Sequence, residues 1–235
     1  MKKHLEETVM LNFSHKRLQQ LVERNGWRAM DPTQQVGAIY NFVQNKIVFG
    51  YNKSDAIAAS QVLEDGYGQC NTKTTLLMAL FRAVGLPCRL HGSTIKKALQ
   101  KGAIQGLWYQ LAPAEIVHCW TEVYVDGAWY GLEGVILDRQ YLQEVQKKFQ
   151  HCGPTFCGFG VFTNNLQNPP IEWDKNDTFI QNKGVHQDFG IFDNPDQFFA
   201  RHRQKLNFIR RVLFKYWIRF RMNNNVDRIR KLKSV

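Results

Sequence analysis

Along the first third of the chain, apolar residues recur at intervals of three and four, the spacing of one helix face. Ser14 stands as an N-cap for a helix through about Asn25, with Leu18, Leu21 and Val22 inward and Gly26 just past its end. Asp31-Pro32 marks a second start, a cap followed by proline at the first helical position, and Val36, Ile39, Tyr40 and Val43 supply the buried face. "KIVFGY" predicts a short strand or extended link, "DAIAASQVL" a short third helix, and "EDGYG" a break. A fourth helix follows, with Leu76, Leu77, Leu80, Phe81 and Val84 in period and Ala79 and Ala83 small enough for close packing. Gly85 ends it and Pro87 prevents continuation.

After Pro87 the pattern changes. "CRLHG", "VHCWTEVYV" and "AWYGLEG" predict strands, the last two joined by Asp126-Gly127, a strong two-residue hairpin signal. Residues 139–150 fit one more helix. Residues 151–195 are rich in Gly, Asn, Pro and aromatics without a period, which predicts an ordered irregular region with short strands. It either covers a cleft or wraps the sheet. The tail places Leu206, Ile209, Leu213, Trp217 and Phe220 on one helical stripe, which predicts a helix packed on the body or on a second subunit.

Composition narrows the class. The 235 residues are 44% hydrophobic, enough for a real core, and no apolar run approaches the roughly 20 residues a bilayer span needs, so no integral membrane segment is expected. The start lacks an apolar stretch of signal-peptide type. Five cysteines without CxxC spacing favour reduced thiols in a cytoplasm over disulfides or a zinc ribbon, and no cofactor or metal is called for. The net charge of +11 is confined to the end: residues 201–235 hold 12 Lys or Arg against Asp227 alone, whereas residues 1–200 balance. The chain therefore divides into a domain over 1–200 and a basic helical extension over 201–235. The extension suits a homodimer contact or an anionic partner such as a membrane surface, a nucleic acid or an acidic protein.

Candidate chemistry centres on Cys70, which opens the fourth helix. There it faces unpaired amide hydrogens and the positive end of the helix dipole, and both favour the thiolate, the attacking form. A small buried residue is the plain alternative. The hairpin adds to this. If Asp126-Gly127 forms the loop, Val125 pairs with Ala128 and, counting back, Trp120 with Glu133. Glu133 then shares a face with His118, diagonal to it and within reach of a hydrogen bond. A one-residue slip would move it to the other face. Nucleophile, base and an acid that orients the base form the general triad. Cys119 should point away from His118. Cys152 and Cys157 flank "GPTF" as spare thiols, and Cys88 packs in a strand. His91, His151 and His186 have no partner that the sequence specifies.

"GYGQCNTKTTLLMALFRAVGLPCR" followed by "HCWTEVYVDGAWYGLEG" resembles the transglutaminase-like superfamily, whose fold is similar to that of papain-like cysteine proteases. Members show a cysteine opening an apolar helix that ends in Gly-hydrophobic-Pro, here Cys70 to Pro87. A histidine follows with Trp two residues on, then a hairpin leading to an acid four residues after a second Trp: His118, Trp120, Trp129 and Glu133. The resemblance covers residues 55–138, and less specifically the helices before them. It implies an α+β, papain-like fold and a compact bacterial-type enzyme. Cys70 would be the nucleophile, His118 the general base and acid, and Glu133 the orienting residue. The implied reaction is acyl transfer or amide hydrolysis on a protein or peptide through a thioester. Glu133 departs from the family's aspartate by one methylene, which Gly131 and Gly134 could accommodate; otherwise Asp138 could serve. That departure also motivates a second reading, a weak or inactive binding module that docks an anionic partner through its tail. Tyr51, Tyr67 and Trp120 are further candidates around the site, each with a packing role as its alternative. Peptide N-glycanases with paired CxxC sites, large calcium-dependent transglutaminases and arylamine N-acetyltransferases fit less well.

Overall fold

The computed structural model describes residues 1–204 and 208–231, with the side chains of Leu107, Phe208, Ile209 and Arg210 left aside. In chain order the elements are α1 (Lys16–Arg24), α2 (Pro32–Lys46), β1 (Val48–Phe49), α3 (Ala59–Asp65), β2 (Tyr67–Gly68), α4 (Cys70–Ala83), β3 (Cys88–Lys96), α5 (Gly106–Leu111), β4 (Glu115–Val125) and β5 (Ala128–Gly131). Then come α6 (Arg139–Lys148), β6 (Phe156–Gly158), β7 (Val161–Thr163), β8 (Val185–Phe192), α7 (Pro195–Arg201), α8 (Phe208–Leu213), a π-helical turn (Phe214–Ile218) and α9 (Arg219–Arg230). Helices precede an antiparallel sheet of order β5-β4-β3-β8, which makes the fold α+β.

The chain is organised around α4. All its residues from Cys70 to Ala83 are buried, because it packs on β4 on one side and on α2 and α3 on others. Its C-terminus closes as the spacing predicts. Gly85 takes φ 85°, its amide bonds the Arg82 carbonyl, and the Leu86 amide bonds back to Phe81, a Schellman pair. Val36, Ile39, Tyr40 and Val43 of α2 are all fully buried in the main core, and Asp31 caps that helix through the Gln34 amide.

Two caps differ from expectation. His15, not Ser14, caps α1, its Nδ1 accepting from the Arg17 amide. Ser14 is engaged instead by Glu7, which accepts from both its amide and its hydroxyl. The third helix starts at Ala59, since residues 55–58 turn into it without helical bonding.

The basic tail contributes to a second apolar cluster. Met222, Val226 and Ile229 of α9 are buried with Phe49, Tyr51, Ile136, Tyr141 and Cys70. Arg230 is buried too: its guanidinium pairs with Asp138 at 2.9 Å and donates to the Phe49 carbonyl at 2.7 Å. The predicted stripe does not pack on the body. Leu213, Trp217 and Phe220 are exposed, while Leu206 and the side chain of Ile209 lie outside the described residues. The shift to residues 222, 226 and 229 has a physical reason: polar neighbours that interrupt the pattern, such as Asn223 and Asn225, are themselves consumed by backbone groups of the body. No helix among the described residues is long and apolar enough to cross a membrane.

Candidate active site

Three elements converge on the site. Cys70 is the first residue of α4. Ahead of it, the Gln69 amide donates to Thr72 Oγ1 at 3.1 Å and the Thr72 hydroxyl donates to Asn52 Oδ1 at 2.6 Å. Gln69 is fixed at both ends of its amide, accepting from the Asn52 amide and donating to Asp55, each at 2.9 Å. Burial pushes the Asp55 carboxyl up, partly offset by hydrogen bonds from Gln69 and Asn71. Gly68 is required by closeness: a Cβ there would sit 2.7 Å from Thr72 Oγ1 and 2.9 Å from Lys73 Cγ. Gly68, Gln69 and Thr72 therefore lock the mouth of the helix.

His118 lies on β4 opposite Ser93 of β3, with no exposed surface. Its Nε2 is 2.7 Å from Glu133 Oε1. Glu133 reaches it by a route the register count does not give. The hairpin loop is the expected pair, Asp126 at φ 51° and Gly127 at φ 83°, with Val125 opposite Ala128. Strand pairing stops at Glu122–Gly131, however, so Trp120 does not pair with Glu133. Leu132 makes one last bond to the Thr121 carbonyl, and Glu133 opens a 3-10 turn over Glu133–Ile136. Its amide and that of Gly134 both bond the Thr178 carbonyl, which pulls the chain out of the sheet.

The 151–195 region then completes the site. Glu133 Oε2 accepts from three successive backbone amides, Ile180 at 2.9 Å, Gln181 at 2.8 Å and Asn182 at 2.9 Å. One carboxylate oxygen is thus held in a nest of amides and the other faces the imidazole. The longer side chain is accommodated by this arrangement. Asp138 is not drawn in: it caps α6 through the Tyr141 amide, accepts from the Phe49 amide and pairs with Arg230.

The other imidazole nitrogen, Nδ1, is buried and makes no aligned hydrogen bond. Burial alone would lower the pKa of His118. The neighbouring Cys70 sulfur, joined by the Glu133 carboxylate, outweighs it and raises the value to about 10. Thiol and imidazole are commonly misaligned before a substrate binds. The Cys70 thiol lies 3.6 Å from Asn71 Oδ1, which also receives the Cys119 thiol at 3.2 Å. Cys119 is buried in the main core.

The site is closed. Cys70 is 7% exposed and Glu133 has no exposed surface. A cavity of about 510 Å³ lined by Tyr109, Phe149, Phe156, Phe159, Cys157 and Ile104, among others, shares Ile104 and Phe156 with the apolar cluster that holds Cys70, but none of the three candidate residues lines it. Cys157 is exposed and Cys152 half-buried, both as free thiols. Tyr51 is committed to Gln100 at 2.6 Å, and the Tyr67 hydroxyl accepts from Arg219 at 3.3 Å, so both read as packing residues. No cluster of metal-ligating side chains occurs among the described residues.

Sequence reasoning missed His91. It stacks on Trp120, with ring centroids 4.1 Å apart, and is held between Glu122 at 2.9 Å and Asp188 at 2.8 Å. Burial opposes its protonation, but the two carboxylates win and raise its pKa. Trp120 in turn lies 5.8 Å from the His118 ring. Glu122 is two residues on from Trp120 on the same strand face, a signal that period-2 reading could have used. Asp188 could not be placed, because β8 was hidden in the irregular region.

A model of the transglutaminase-like superfamily matches residues 19–133, from within α1 to Glu133 itself. Among solved structures, a proposed cysteine protease from Cytophaga hutchinsonii is 13% identical with a TM-score of 0.46, over 82% of this chain and 47% of that one. Red sea bream transglutaminase is 15% identical with a TM-score of 0.31, over 56% of this chain and 26% of its own. This chain therefore spans less than half the length of either. No curated protein matches it.

Proposed function

From the match of residues 19–133 to the transglutaminase-like superfamily we propose that the chain transfers or hydrolyses acyl groups through a thioester on Cys70. The observation that carries this reading is the held pair, His118 Nε2 against a Glu133 carboxylate whose second oxygen three amides fix. It leaves Nδ1 as the nitrogen for the thiol.

The chemistry proceeds from these residues. A thiolate on Cys70 attacks the carbonyl carbon of an amide, and the carbonyl π electrons move to oxygen. The Cys70 backbone amide, at the positive end of α4, is placed to stabilise that oxyanion. The imidazolium of His118 gives its proton to the leaving nitrogen as the C–N bond breaks, and an amine departs. Water or a second amine then attacks the thioester, His118 takes its proton, and the carboxylic acid or new amide leaves with the thiolate restored. Glu133 keeps the imidazole in one orientation and stabilises its charged form throughout. A protein or peptide is the substrate class this reading favours, with hydrolysis at least as well supported as cross-linking.

The burial of Cys70 favours one alternative, a domain that keeps the fold as a binding module and never exposes the thiol. One experiment separates the two. Incubation with an activated acyl ester followed by intact-mass measurement should show a single acyl adduct that maps to Cys70 and turns over. Cys70→Ala should abolish it. An adduct that is absent, or that persists in Cys70→Ala, would refute the enzyme reading.

A further inference from the structure

The helix from α8 through the π turn to α9 exposes five large apolar side chains, Val212, Leu213, Tyr216, Trp217 and Phe220. Trp217 is 66% exposed, unusual for the residue type most often buried over much of its area. The opposite side of the same helix is anchored. Phe214 and Ile218 pack partly buried against the second apolar cluster, and Met222, Val226 and Ile229 continue that contact. Asn223 pairs with both backbone groups of Tyr51, and Asn225 donates to the Gly102 and Ala103 carbonyls. The helix is therefore fixed in place with its second apolar face turned outward.

Charge identifies what that face meets. Residues 208–231 carry eight Lys or Arg and one acid, Asp227, which is taken up by Arg230. Lys215 and Arg221 are exposed beside the stripe, and Arg219 lies over the Phe220 ring at 4.0 Å. We propose that this helix docks flat on an anionic lipid surface, with the stripe seated at the acyl boundary and the flanking cations on the phosphates. A basic helix with an apolar, Trp-bearing face is built for that interface. A symmetric dimer through the stripe would bring two like-charged helices together. A nucleic acid could stack on Tyr216, Trp217 and Phe220 but would leave Val212 and Leu213 without an apolar partner, whereas an acyl boundary takes all five.

The test is co-sedimentation of the full chain with phosphatidylcholine vesicles, with and without about 30% phosphatidylserine. Binding should be at least about tenfold tighter to the anionic vesicles, and lost near 1 M salt. Trp217→Ala/Phe220→Ala should lower it about tenfold or more while leaving the melting temperature unchanged, because both side chains are exposed. Brominated acyl chains should quench tryptophan fluorescence in the wild type and not in Trp217→Phe. Equal binding to both vesicles, no binding, or quenching that survives Trp217→Phe would overturn the proposal. So would a lipid-free dimer that the double variant dissociates, or duplex DNA that displaces the vesicles.

Discussion

Replacing Glu133 by Asp would install the residue that the resemblance leads one to expect, and the geometry predicts that it does harm. Glu133 spans two fixed points, the imidazole 2.7 Å from Oε1 and the three amides 2.8–2.9 Å from Oε2. An aspartate is shorter by about one carbon–carbon bond, roughly 1.5 Å. It cannot keep both contacts. The nest offers three bonds against one, so the carboxylate stays there and the His118 bond stretches to about 4 Å, beyond hydrogen-bond range. A hydrogen bond to a charged group contributes about 1.5–3 kcal/mol, and its loss leaves a fully buried ring nitrogen unpaired. The melting temperature should fall by roughly 3–10 °C. If the same energy is withdrawn from the imidazolium that supports the thiolate, Cys70 alkylation at neutral pH should slow by about 10–100-fold. The assay is the iodoacetamide rate at Cys70, followed by peptide mass, beside a thermal melt. An Asp variant that alkylates as fast as the wild type and melts at the same temperature would refute the reasoning.

Burial patterns in the sequence revealed most of the scaffold. The helices at 16–24, 32–46, 70–83 and 139–148 and the hairpin at Asp126-Gly127 could be read because their caps, periods and turn residues act locally. Cys70 and His118 could be read for the same reason, since each sits at a defined place on such an element. Glu133 was found by a count that the chain does not follow. It bonds His118 because Thr178 draws the backbone out of the sheet, a contact 45 residues away in sequence that no local pattern encodes. The amides at 180–182 and the edge strand β8 were invisible for a related reason: their register is set by the elements they meet, not by their own alternation. The sequence leaves the stripe of the tail open between the body and a second subunit, because apolar periodicity marks a face without saying what covers it; it does not face the body.

Three further outcomes follow from the buried charges. Lys73 is fully buried, donates to the Gln44 and Ile136 carbonyls at 3.1 Å each, and has its pKa lowered by burial to about 7. The unfolded chain keeps that proton up to about pH 10.5, so it binds more protons than the native state and stability rises with pH. Denaturant titrations should show a gain of about 2 kcal/mol between pH 7 and pH 9 that Lys73→Met lacks; equal pH slopes would contradict it. Arg230→Ala leaves Asp138 buried without its counter-ion and should destabilise by about 3–5 kcal/mol, seen as a lower urea midpoint; a change under about 1 kcal/mol would show that α9 is not anchored there. The His118 imidazole, followed by nitrogen NMR, should titrate well above neutrality, near 10, and lower in Glu133→Gln because an anionic partner is removed. Its raised pKa stabilises the fold fully below about pH 6.5, and the contribution is lost as pH rises through about 10. Titration at or below the ordinary histidine value would count against the ion pair.

Whether a buried sulfur can act as a nucleophile is decided most directly by competition among the five thiols. Limiting iodoacetamide at pH 7, quenched over time and mapped by peptide, should label Cys70 ahead of the exposed Cys157, and His118→Ala should erase that preference without unfolding the chain. Labelling confined to Cys157 and Cys152, with Cys70 untouched until denaturant is added, would mean that the three residues hold the fold together and do no chemistry.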